Sequence, residues 1–235
     1  MNTEKTRLDT MLRDKKISQD EYQILAAALK RKSFFAKMES SLLLNPFQKI
    51  AGFKALMFGM IILLLTSYLG VKAGLYYLGP LSAINVLAVT KQSIGQPFLL
   101  LLFQNTVCWL AVAIVFMIVA KILQKKKVRL IDFLGTVALA RFPMLFITLY
   151  TYFVRTFYPS MLDIDLSKGL PIHASMSQYL FSICVTVLMV WQIVTYFYAF
   201  KESSGLLGKK LWWAFLGSLV LVQFLSEPIT TLFMN

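Results

Sequence analysis

The chain has 235 residues, of which 58% are hydrophobic and 15% charged, and it carries a formal net charge of +13. Soluble domains are nearer half apolar and a quarter charged, so this composition argues against a water-soluble globular domain. The positive charge sits between long apolar runs, which directs it toward anionic lipid headgroups and not toward nucleic acid.

Residues 1–32 predict a cytoplasmic helical hairpin. Leu8, Met11 and Leu12 give the first helix an apolar side, Asp14-Lys15-Lys16 forms the turn, and the second helix begins after Ser18. Ser18-Gln19-Asp20-Glu21 fits a capping box, in which the serine hydroxyl accepts from the Glu21 backbone and the Glu21 carboxylate accepts from the serine N–H. Tyr22, Leu25, Ala26 and Leu29 follow at helical spacing on one stripe. A hairpin this short cannot bury a stable core alone. The face made by Tyr22, Leu25 and Leu29 is therefore expected either to meet a protein partner or a second copy, or to pack on the chain's own bundle.

Residues 33–53 read as an interfacial amphipathic segment, with Phe34, Phe35, Met38, Leu42 and Phe47 apolar and Lys37, Glu39, Gln48 and Lys49 polar. Asn45-Pro46 interrupts it, and Pro46 can open a second short turn. A plain linker is the alternative.

Residues 54–235 contain five apolar stretches, at about 54–77, 97–121, 133–153, 179–200 and 211–231. A hydrocarbon core of about 30 Å needs roughly 20 such residues per helical crossing. Alternating ten-residue strands, the mark of a membrane barrel, are not seen, so the expected fold is all-α: a polytopic bundle of five transmembrane helices. No cleavable signal peptide precedes the first stretch, which must serve as the targeting signal.

The basic residues sort by side. Arg7, Arg13, Lys15, Lys16, Lys30, Arg31, Lys32, Lys37 and Lys49 precede the first span. Lys125, Lys126, Lys127 and Arg129 join spans two and three, and Lys201, Lys209 and Lys210 join four and five. The alternate loops hold only Lys72, Lys91, Arg155 and Lys168, with Asp163 and Asp165 beside them. The positive-inside rule then places the N-terminus in the cytoplasm and the C-terminus outside. Lys125, Lys126, Lys127, Arg129, Lys209 and Lys210 are the expected contacts to anionic headgroups.

Residues 78–96 are more apolar than a free loop should be, and are expected either to pack on the bundle or to form a partly embedded helix. Tyr76, Tyr77, Tyr150, Tyr152 and Tyr158 would mark the outer interface. Cys108 and Cys184 fall inside spans, where neither is read as a disulfide partner or a metal ligand.

Catalytic signatures are lacking. Gly205-Leu206-Leu207-Gly208-Lys209-Lys210 has too few residues between its glycines for a phosphate loop and no hydroxyl after the lysine. His173 is the single histidine and reads as a surface-loop residue. No G-x-S-x-G elbow, paired acid and base, or metal-ligand spacing is present, so no enzyme and no cofactor are expected.

Arg141 is the residue hardest to explain blandly, because it lies some eight residues into span three, about 12 Å below the inner surface. Mid-membrane arginine costs about 2.5–3.5 kcal/mol on insertion scales. Pro143 follows closely, and the backbone can break there and free carbonyls. Either the side chain snorkels to the headgroups, or it belongs to a polar focus with Gln104, Asn105, Gln192, Gln223 or Glu227. Glu227 sits near the outer end of span five, so a direct bridge would need a tilted or broken helix.

Three segments carry a resemblance: "NPFQKIAGF" at the first span, "DFLGTVALARFPMLF" with its proline in span three, and "FKESSGLLGKKLWWAFLGSLV" leading into span five. Over roughly residues 45–230 the chain resembles the Yip1 domain family, on its prokaryotic side, since the longer acidic and glycine-rich signatures of eukaryotic members are not evident. The resemblance implies a non-enzymatic multi-pass protein in the bacterial cytoplasmic membrane. Eukaryotic members bind prenylated small GTPases and shape membranes. Function is thus expected to be that of a membrane scaffold or adaptor that recruits a partner through residues 1–32. The alternative is a transporter, channel or permease subunit with Arg141 at its polar site.

Overall fold

The computed structural model describes residues 9–14, 18–19, 21–26, 41–81, 97–124, 128–162 and 175–231. Expectations for Leu29, residues 33–40, Lys125, Lys126, Lys127, Asp163, Asp165, Lys168, His173 and most of the 78–96 loop fall outside them. The chain divides into two compact units, Met1–Pro46 and Phe47–Asn235.

In the first unit, residues 9–13 and 21–26 are helical. The capping box is formed: the Ser18 N–H donates to Glu21 Oε2 at 2.8 Å, and the Glu21 N–H donates to Ser18 Oγ at 3.2 Å. The Tyr22 hydroxyl donates to Asp9 Oδ1 at 2.7 Å and so ties the second helix to the first. These contacts set two titrations. The Ser18 backbone N–H, then its hydroxyl, hold the Glu21 carboxyl below its ordinary range, and the Asp9 carboxylate pushes the Tyr22 phenol up.

Pro46–Gln48, where the second unit begins, makes one 3-10 turn. Among the described residues six α-helices follow: α1 (Gly52–Ala73), α2 (Phe98–Leu123), α3 (Leu130–Leu139), α4 (Phe142–Phe157), α5 (Met176–Ser204) and α6 (Gly208–Thr231). With α3 and α4 taken together, five stretches are long and apolar enough to cross a membrane. The described residues contain no strand, and the fold is an all-α, multi-pass membrane bundle.

Helix ends depart from the hydropathy reading for local reasons. Span one ends at Ala73, short of Tyr77, because Gly74 takes a left-handed conformation (φ 66°, ψ 39°) in which the N–H groups of Gly74 and Leu75 both return to the Gly70 carbonyl. Arg155, from the last turn of α4, donates through Nη1 to the Ala73 carbonyl at 2.5 Å. A cation at a helix C-terminus opposes the partial negative charge there. Span four begins at Met176, where Ser175 and Gln178 form a capping box.

The two halves of span three pack against α1, which α2 also touches, while α5 lies on α3 and α4 and α6 rests mainly on α2. The α1–α3 crossing is close because both surfaces are small. A Cβ added to Gly59 would stand 2.3 Å from the Ala138 Cβ and 2.6 Å from the Ala138 carbonyl carbon. Ala55 and Gly59 sit four apart on α1, the small-xxx-small spacing that lets membrane helices approach.

Candidate functional site

Span three breaks at Ala140-Arg141, and the break follows from Pro143. Proline has no N–H for the Leu139 carbonyl and its ring clashes with that residue, so a regular α-helix through this point is disfavoured. Pro143 instead occupies the first turn of α4, where a missing N–H costs nothing. The Met144 N–H then bonds Arg141 O at 2.9 Å, one residue short of its α-helical partner, and leaves the Ala140 carbonyl free. Two side chains of α5 take it up: Gln192 Nε2 donates at 2.9 Å and Thr195 Oγ1 at 3.0 Å.

Arg141 itself is buried in the bundle, 2% exposed, so the interior alternative holds over snorkelling. Its Nη2 donates to Asn105 Oδ1 on α2, and its Nη1 donates to the Tyr196 hydroxyl on α5 at 3.3 Å. Asn105 is held in turn from α1, because its Nδ2 donates to the Leu63 carbonyl at 3.2 Å and to Ser67 Oγ at 3.0 Å. The guanidinium therefore ties four spans together through two neutral partners. Among the described residues its Nε has no hydrogen-bond partner, and neither has Gln192 Oε1.

The layer continues toward the end of the bundle that carries Lys72 and Arg155. The Tyr77 hydroxyl donates to the Thr66 carbonyl at 2.8 Å and lies 3.4 Å from Thr148 Oγ1. Gln104 Oε1 accepts from the Tyr77 N–H at 3.2 Å, and the Cys108 thiol meets the Tyr77 carbonyl at 3.3 Å. Tyr77 was expected in the outer aromatic belt; it is instead enclosed in the core, since the turn at Gly74 folds the chain back over α2. This polar layer divides the apolar interior. Ala140 and Tyr196 belong to one cluster with Phe116, Phe200 and Phe215, while Met144 and Cys108 belong to another with Leu101, Ile147 and Phe181.

Of the residues singled out from the sequence, Asn105, Gln192, Pro143 and Gln104 fall in this layer with Arg141. Gln223 and Glu227 do not. They pair with each other on α6, Nε2 to Oε2 at 3.4 Å, and Gln223 packs at Gly79. Their i,i+4 spacing already made a local pair the cheaper arrangement. Sequence reasoning missed Tyr196, Thr195, Tyr77, Thr148 and Ser67. The available signal was polar residues at three- and four-residue spacing on an otherwise apolar span: Gln192 with Thr195 and Tyr196.

Arg129, Lys209 and Lys210 are exposed. In the hairpin, Tyr22 is half-buried and Leu25 is exposed. Among the described residues no three His, Cys, Asp or Glu side chains converge as a metal site would require. No protein-family model, curated protein or solved structure matches this chain.

Proposed function

We propose that this protein is a membrane-embedded scaffold or adaptor, resembling Yip1 family proteins, that recruits a partner through its N-terminal unit. The observation that carries this reading is the hairpin. Its second helix is fixed at its start by the Ser18–Glu21 box and across by Tyr22–Asp9, yet it leaves Ile24 69% and Leu25 41% exposed. A pre-ordered helix with exposed apolar side chains suits docking into a partner's groove.

The charge distribution supports an inward-facing N-terminus in a bacterial cytoplasmic membrane. Lys49, Lys54, Arg129, Lys201, Lys209 and Lys210 fall at one end of the bundle, against Lys72 and Arg155 at the other. Gentle purification of the full chain and of a form lacking residues 1–32, followed by mass spectrometry of what accompanies each, tests the proposal. A partner lost on truncation supports it; identical company in both forms refutes it.

A second reading, a transporter or channel subunit, draws on the Arg141 layer. Broken spans that expose helix ends inside a bundle are how membrane carriers bind charged substrates. Flux into proteoliposomes that disappears in Arg141→Gln would favour it, and flux indifferent to that change would remove it.

A further inference from the structure

The Arg141 guanidinium is a permanent charge, since arginine does not deprotonate in proteins. Buried charges are ordinarily matched by an opposite charge, because an uncompensated one in a low-dielectric interior is strongly unfavourable. Here the partners among the described residues, Asn105 Oδ1 and the Tyr196 hydroxyl, are both neutral. The Nε–H of the arginine side chain, which is 2% exposed, lacks an acceptor among the described residues.

We propose that the break in span three is a binding site for a small monovalent anion, held by Arg141 Nε. The ligand must be small because the layer is closed by Asn105, Gln104, Gln192 and Thr148, all of them buried. A halide accepts from Nε alone. Hydrogen carbonate could also donate its hydroxyl to Gln192 Oε1, another buried atom without a partner among the described residues. The inference deepens the transport reading, which needs such a site, although the site itself requires no transport.

The test uses the full chain in nanodiscs, with sodium gluconate replaced stepwise by sodium chloride or sodium hydrogen carbonate at constant ionic strength and pH. A ligand that binds only the folded state raises Tm saturably, by about 5–10 °C at a hundredfold excess over Kd for a protein of this size. Arg141→Gln is expected to abolish the rise. Asn105→Asp provides a second variant, since it gives the guanidinium a fixed carboxylate and removes the need for an exogenous anion; Ser67 Oγ can turn its proton to the new acceptor. It too is expected to lose the response while still folding. Wild-type protein that responds to neither anion, or a response that survives both substitutions, overturns the site. The transport reading fails separately: a Tm response lost in both variants, with no anion flux in proteoliposomes, upholds the site and removes transport.

Discussion

Replacing Gly59 by alanine should force α1 and α3 apart. The added Cβ would lie 2.3 Å from the Ala138 Cβ, 2.6 Å from its carbonyl carbon and 2.7 Å from Leu139 N. Carbon atoms rest about 3.5–4.0 Å apart, so the helices must separate by more than about 1 Å, and a gap of that size forfeits a quarter to a half of each dispersion contact along the seam. Two of the three atoms are backbone and cannot rotate away. The cost should therefore sit near the top of the usual range for overpacking, about 3 kcal/mol. Gly217→Ala is the control, since nothing lies within 4 Å of its new methyl. It should leave stability unchanged or raise it by up to about 1 kcal/mol through helix propensity. Adding Ala138→Gly to Gly59→Ala removes the methyl clash but neither backbone clash, so rescue should be partial and the double variant should stay well below wild type. Reversible unfolding in mixed micelles titrated with dodecyl sulfate measures all three. If Gly59→Ala stays within about 0.5 kcal/mol of wild type, or rescue is complete, the seam is looser than this packing requires.

Asn105→Leu should destabilise by about 3–5 kcal/mol, because it strips a buried guanidinium of its α2 partner; the same micelle titration measures it, and a loss under 1 kcal/mol would contradict the geometry. Replacing Gln192 and Thr195 together by leucine and valine leaves the Ala140 carbonyl without a donor and should cost about 1–3 kcal/mol, while either single change should cost less since the other donor remains. Lowered pH should loosen the hairpin. A carboxyl whose folded pKa is depressed contributes stability above its unfolded value, near 4.3, and loses it as pH falls through the lower folded value. Carbon-detected titration of Glu21 should thus give a midpoint below that of an unstructured glutamate, and an ordinary or raised midpoint would mean that the capping box does not form in solution. Arg155→Met should free the Ala73 carbonyl and fray the end of α1, read as faster amide exchange at Gly74 and Leu75.

Five crossings were legible because the bilayer imposes a length on every helix, and length can be read from hydropathy alone. Pro143 marked the neighbourhood of the break, and Arg141 marked a polar focus. What could not be read is where liberated groups find partners, since that depends on crossing geometry between segments far apart in the chain. Ala140 carries no polar side chain, yet its carbonyl holds α5 in place. Tyr77 looked like an interfacial anchor because tyrosines usually are; its enclosure rests on Gly74 adopting a left-handed turn. Glu227 looked available to Arg141 until its own neighbour, Gln223, is considered. The seam at Gly59 and Ala138 was written in the spacing of small residues, but such spacing recurs in many membrane helices without marking a contact.

The direction of synthesis gives the break at Ala140-Arg141 a further meaning. Asn105 lies 36 residues before Arg141, so the guanidinium can be met as soon as span three enters the bilayer. The donors to the Ala140 carbonyl come 52 and 55 residues later. Until α5 has been made, that carbonyl has no side-chain donor, and the nascent three-span intermediate is held together on one side only. Arrival of α5 therefore closes the break, before α6 is added. A chain truncated after α4 should persist as an inserted but unlocked species, recognised by the quality-control machinery that surveys exposed polar groups within the membrane.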